Sequence, residues 1–262
     1  MPKILAKSDN LNELNANYAH VLLTEPVFLN SVPKSGTHLL RNIMRMFVPL
    51  NQQYHDTFIQ HAILHQHRTA FNPAAPKLSW GHLLYSDLSA IALRPVNQIL
   101  LVRDPYSWVL ARARFFISDN FEANLEHLKG GNVAADELMN MMIFGIHDKI
   151  PTLLDIYTHN CLSWLGTKAE VIKYEDLITA VKGLGSEESE DFFAELLGKC
   201  GIAEMPDDWE ERVRVGSDRK QSGTARENLA GDTDDVPSEL PDIQKQLVDV
   251  AAPGLRKILG YE

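Results

Sequence analysis

One short stretch constrains this chain most. The apolar run Pro26-Val-Phe-Leu-Asn stops at Ser31, and within six residues the pattern changes period. The run reads as a buried strand. From Thr37 onward Leu39, Leu40, Ile43, Met44 and Phe47 recur at helical spacing. Residues 31–36 are therefore a strand-to-helix turn. The change of period repeats. Gln98-Ile-Leu-Leu-Val stops at Arg103-Asp-Pro before a helical pattern from Trp108 to Phe116, and Glu170-Val-Ile-Lys-Tyr leads into Glu175-Asp-Leu. Strands alternating with helices predict a single α/β domain with a central parallel sheet flanked by helices.

The rest of the chain is compatible with that plan. Its 262 residues correspond to between one and two domains at ~150 residues each, and no linker separates two cores. Residues 1–24 read as an N-terminal extension with a short helical piece, and 25–262 as the domain. Residues 122–165 read as mostly helical, 191–197 as a helix, and 242–259 as the final helix. Residues 51–75, rich in His, Gln and Asn, carry no clear period. Two acidic segments, 183–191 and 226–241, read as mobile, the first leading into a helix start where its charge suits the dipole. Two cysteines, Cys161 and Cys200, exclude a disulfide scaffold. No apolar run approaches the roughly 20 residues of a membrane span. The N-terminus lacks the apolar stretch of a secretory signal, so the cytoplasm is the expected compartment. A net charge of −10 argues against nucleic acid as a partner, yet leaves room for a local basic pocket that binds one anion.

Such a pocket is written into the turn, Ser31-Val-Pro-Lys-Ser-Gly-Thr-His. A turn from a buried strand into a helix leaves unpaired N–H groups converging on one spot, which favours an anion. Gly36 lets the backbone approach closely, Ser35 and Thr37 add hydroxyls, and Lys34 adds a point charge. The lysine precedes the glycine, so this is not the Gly-x-x-x-x-Gly-Lys-Ser/Thr loop of Mg²⁺-nucleotide enzymes. The residues alone also fit a capped helix with an exposed lysine.

Pro33-Lys-Ser-Gly-Thr straight after a buried strand resembles the 5′-phosphosulfate loop of the sulfotransferase family, which uses 3′-phosphoadenosine 5′-phosphosulfate (PAPS). The resemblance runs from about Val27 to the C-terminus. It implies a P-loop-type domain in which Lys34, Ser35, Gly36, Thr37 and His38 hold the phosphosulfate. His82, in Trp80-Gly-His about twenty residues before Arg103, matches the family's general base. Arg103, ending a strand, matches the arginine that grips the 3′-phosphate. Tyr174, in Lys173-Tyr-Glu-Asp-Leu, matches the tyrosine that contacts adenine. Arg219 and Lys220, in Gly216-Ser-Asp-Arg-Lys-Gln-Ser-Gly, match the loop that closes over the nucleotide. The sequence departs from the family at His38 for a second threonine, Leu39 or Leu40 for an aromatic residue, Trp80 for a lysine, Ala111 for a serine and Gln221 for a glycine.

The resemblance implies an enzyme that moves a sulfuryl group in line from PAPS to an acceptor hydroxyl or amine. His82 and Lys34 are its catalytic residues, adenosine 3′,5′-bisphosphate is the released product, and no metal is required. The implied acceptor is a small molecule or glycan precursor. The residues also admit a small-molecule kinase on the same kind of loop, or a non-catalytic nucleotide-binding relative. His61-Ala-Ile-Leu-His-Gln-His invites a zinc reading, since residues four apart share a helical face, but no glutamate or cysteine cluster supports it. Trp108, Phe115 and Phe116 are expected in the core.

Overall fold

The computed structural model describes residues 8–54, 58–122, 124–222 and 236–261, and the backbone of 3–4. They group into two compact units. Asp9–Val102 with His159–Ser222 form one; Met1–Ser8, Arg103–Thr158 and Gly223–Glu262 form the other.

The first unit holds a five-stranded sheet. Its strands are β1 (Val27–Ser31), β2 (Ile59–Gln60), β3 (Leu78–His82), β4 (Asn97–Val102) and β5 (Glu170–Lys173). They lie in the order β2-β3-β1-β4-β5, and every neighbouring pair is parallel. The expected parallel α/β architecture is therefore present. All five residues of β1 are buried, which is why its apolar run is unbroken. The chain leaves β1 toward one side of the sheet and later returns to its other side. Its carboxyl end is thus a switch point, where open α/β sheets bind ligands. β2 closes on β3 at Gly81, where a Cβ would lie 2.0 Å from the carbonyl oxygen of Ile59. Only a residue without a side chain fits that approach.

The helix Thr37–Arg45 buries Leu40, Ile43 and Met44 against Leu29, Ile99 and Leu101 of the sheet. Its far end is also fastened. The Asn15 amide, on the short helix Leu11–Asn15, donates to the carbonyls of Arg45 (2.6 Å) and Val48 (3.1 Å). These bonds satisfy carbonyls that a helix terminus leaves open.

In the second unit, Pro105–Ile117 is a helix with Asp104 as its cap, the Asp104 carboxylate accepting from Tyr106 N at 3.1 Å. Trp108 and Phe115 are buried in it, as expected, and Phe116 is half-buried. Of 122–165, expected to be mostly helical, Ala135–Phe144 and Leu153–Asn160 form α-helices, and Gly145, with φ 82°, and Pro151 separate them. The final helix ends at Ala251 and resumes over Leu255–Ile258, because Pro253 cannot continue the ladder. Elsewhere, the acidic 187–191 stretch is the first turn of a helix, Glu187–Lys199, with Ser186 Oγ accepting from Ser189 N. The His-rich stretch forms 3₁₀ turns over His61–Phe71, so His61 and His65 do not share a face. Among the described residues no helix is long and apolar enough to cross a membrane.

Candidate functional site

The turn after β1 is held from both sides. Asn30, buried at the strand's end, accepts at Oδ1 from Ser31 N (3.0 Å) and Leu83 N (2.9 Å), and its amide donates to Leu83 O. The indole of Trp164 donates to the same carbonyl at 3.1 Å. On the other side Val32 N donates to Leu101 O of β4. The backbone then twists through two left-handed residues, Lys34 (φ 71°) and Gly36 (φ 94°). For lysine that conformation costs of order 1 kcal/mol or more, the kind of strain that collects at ligand sites. Gly36 is required: a Cβ there would lie 2.4 Å from Cδ2 of Tyr174. The Tyr174 ring therefore packs directly on the turn.

The helix N–H groups after Gly36 have no intrahelical acceptors. Beside them Ser35 is fully buried, and its Oγ has no hydrogen-bond partner among the described residues. An unpaired buried hydroxyl beside a helix N-terminus and a lysine is a donor set that fits a multiply charged oxyanion.

Ser31 joins this cradle to His82. Its Oγ lies 2.7 Å from Thr37 Oγ1 and 3.0 Å from His82 Nδ1. His82 is the last residue of β3, and its Nδ1 also lies 3.1 Å from the Ser31 carbonyl oxygen. A carbonyl only accepts, so Nδ1 carries the proton and Nε2 keeps its lone pair. Burial pushes His82 down to about 4; the bond to the Ser31 carbonyl opposes this, and the Lys34 charge adds to it. His38, one residue past Thr37, is pushed down to about 3 by burial and then by Lys34, Arg41 and His82. Both rings are neutral at neutral pH. Phe58 packs against His82 and Trp80, with centroids 5.5 Å away in each case, and His38 packs edge-on to Trp80 at 5.2 Å.

Lys34, Ser35, Gly36, Thr37, His38, His82 and Tyr174 thus belong to one cluster. Arg219 and Lys220 are exposed, in a 3₁₀ turn after the helix Trp209–Ser217. That turn is tied to the cradle helix, since the Asn42 amide donates to Gln221 O at 3.3 Å. The rest of the expected closing loop, including Gly223 and Arg226, lies outside the described residues, as does Gly231. Arg103 follows β4 directly in the chain and belongs to the second unit. There its Nε donates to Ser107 Oγ at 2.8 Å, and its carbonyl accepts from Tyr157 OH at 2.7 Å. Ser107 thus orients the guanidinium, a role its spacing from Arg103 did not suggest. In the His-rich segment, His61 Nε2 meets Ser86 Oγ at 3.0 Å and His67 Nδ1 meets Tyr54 OH at 2.9 Å.

Sequence reasoning missed Ser31, Phe58 and Arg41. A signal existed for Ser31, a hydroxyl at the end of an otherwise apolar strand. None existed for the other two, which reach the site through tertiary packing.

No family model matches the chain, and no curated protein matches it. Among solved structures, the crystal structure of mouse sulfotransferase SULT7A1 complexed with PAP is similar, with a TM-score of 0.51 and 15% identity over 83% of this chain and 71% of that one. At that identity the likeness is one of fold.

Proposed function

We propose that this chain is a PAPS-dependent sulfotransferase, transferring a sulfuryl group to a hydroxyl or amine of a small-molecule or glycan acceptor in the cytoplasm. The observation that carries the reading is the Ser31 hydroxyl, which touches both the anion cradle at Thr37 and the histidine at His82. A site for a leaving anion and a site for a departing proton are one hydrogen-bonded unit. The likeness in fold to a PAP-bound sulfotransferase supports it.

Lys34, the Ser35 hydroxyl and the backbone N–H groups of Gly36, Thr37 and His38 would hold the 5′-phosphosulfate; the Ser35 N–H, expected among them, instead donates to the Val32 carbonyl at 3.1 Å. PAPS, when bound, supplies an activated sulfuryl group on a phosphate leaving group. The protein's part is positioning and charge stabilisation. His82 Nε2 takes the proton that the acceptor hydroxyl loses as its oxygen bonds to sulfur. Lys34 and the cradle amides stabilise the phosphate oxygen released when the old sulfur–oxygen bond breaks. Burial holds His82 down first and the Lys34 charge adds to it; an anion in the cradle offsets the Lys34 part and so shifts the base toward the working pH. To Tyr174 we assign the adenine, and to Arg103, Arg219 and Lys220 the 3′-phosphate, which suits arginine's planar fork. No metal is required on this scheme.

The test is His82→Ala. It is expected to bind adenosine 3′,5′-bisphosphate as the parent does while losing about 10²- to 10⁴-fold in transfer from PAPS to an acceptor panel. A variant that binds nucleotide and transfers at the parental rate contradicts the assignment.

A further inference from the structure

Over the Trp80 ring, two residues from His82 on β3, lies a cation that the described residues do not neutralise. Arg41 sits four residues past Thr37, on the same face of the helix and about 6 Å further along its axis. Its guanidinium lies over the Trp80 ring, 4.5 Å from the centroid. It is half-buried, and among the described residues it has neither a carboxylate partner nor a hydrogen bond. The acidic group whose field reaches it, Asp9, is committed elsewhere. Asp9 accepts from Arg45 through both oxygens (2.9 and 3.0 Å) and from Leu11 N. Burial, and then the Arg45 charge, bring Arg41 down to about 10 against the weak pull of Asp9. The Trp80 indole N–H beneath it is buried and also unpartnered among the described residues.

A half-buried cation without a partner is costly unless a ligand answers it. The chain carries 35 acidic residues against 25 basic ones, yet none of the described ones pairs with Arg41. Position says which ligand. Trp80 and His82 are two apart on β3, so their side chains leave the same face of the strand. Phe58 touches both rings. The Arg41–Trp80 pair therefore shares a wall with the proton acceptor, a full helical turn away from the backbone amides of the cradle.

We propose, on the sulfotransferase reading above, that Arg41 and Trp80 select an acceptor that carries a negatively charged group, a carboxylate, phosphate or sulfate, beside the hydroxyl or amine that attacks. The guanidinium pairs with that group, the indole N–H adds a second donor, and Phe58 supplies a flat apolar border. Arg41 is a specificity residue.

Calorimetry on the whole chain tests this with benzoate and benzamide as matched probes, each titrated into protein saturated with adenosine 3′,5′-bisphosphate. Benzoate is expected to bind at least tenfold more tightly than benzamide, because a charge-assisted pair separates them. Arg41→Gln is expected to erase that preference while leaving bisphosphate affinity within about twofold of the parent. Arg41→Lys keeps the charge without the planar fork, and should retain part of the preference; it carries the test if the glutamine variant does not fold. In transfer from PAPS, hydroxy acids should outperform their amides in the parent and not in Arg41→Gln. An equal affinity for the two probes in the parent overturns the proposal. So does an unchanged preference in both variants, or a loss of bisphosphate affinity in Arg41→Gln, which would place Arg41 on the donor. Failure of the parent to bind the bisphosphate defeats the sulfotransferase reading itself, and the acceptor assignment with it.

Discussion

Replacing Gly36 by alanine should destabilise the fold even without ligand, and the size of the effect can be worked from the turn. The new Cβ would lie 2.4 Å from Cδ2 and 2.7 Å from Cε2 of Tyr174. Carbon atoms rest at about 3.5–4.0 Å, so the overlap exceeds 1 Å and the ring must move. Overpacking of this kind costs about 1–3 kcal/mol. The left-handed φ of 94° adds about 1–2 kcal/mol once a Cβ is present. The sum is about 2–5 kcal/mol, read as a fall in the urea midpoint at constant slope. Tyr174→Ala removes the obstacle but not the backbone strain. In the double variant the cost of Gly36→Ala should therefore shrink to about 1–2 kcal/mol, a coupling of about 1–3 kcal/mol. Additive effects, or a single-variant cost below about 0.5 kcal/mol, would refute the packing of Tyr174 on the turn.

Acid should weaken the fold in a defined window. His82 falls from an ordinary value of 6.5 to about 4 in the folded protein, so between those values the unfolded chain binds a proton that the folded one refuses. Stability then drops as pH falls from about 6.5 toward 4, by on the order of 2 kcal/mol for this partly exposed ring, and denaturant titration of His82→Gln should show a flatter profile. Gly81→Ala, whose Cβ would meet the Ile59 carbonyl oxygen at 2.0 Å, should separate β2 from β3 at a cost of about 2 kcal/mol or more, seen as a lower Tm. An unchanged Tm would contradict the close strand approach.

What could be read from the sequence was local. Three of the five sheet strands and the helix from Thr37 announce themselves by period, and the cradle is a contiguous motif that folds as its residue types require. The two-residue strand Ile59–Gln60 is too short to carry a period, and it exists because Gly81 admits it. The Ser31–His82 bond joins positions 51 residues apart, and no spacing rule encodes it. Arg41 on its helix reads as one more polar residue between apolar ones; its stacking on Trp80 depends on the neighbouring strand. Lys34 in a left-handed conformation is likewise illegible, because the residue type does not favour it.

Calorimetric titration with adenosine 3′,5′-bisphosphate, with 5′-AMP and ATP·Mg²⁺ as comparators, decides the donor class. The bisphosphate is expected to bind tightly, with a loss of at least tenfold without the 3′-phosphate and a similar loss in Arg103→Ala, the removal of one charge-assisted contact. Binding of ATP·Mg²⁺ alone, or of no nucleotide, would contradict the sulfotransferase reading.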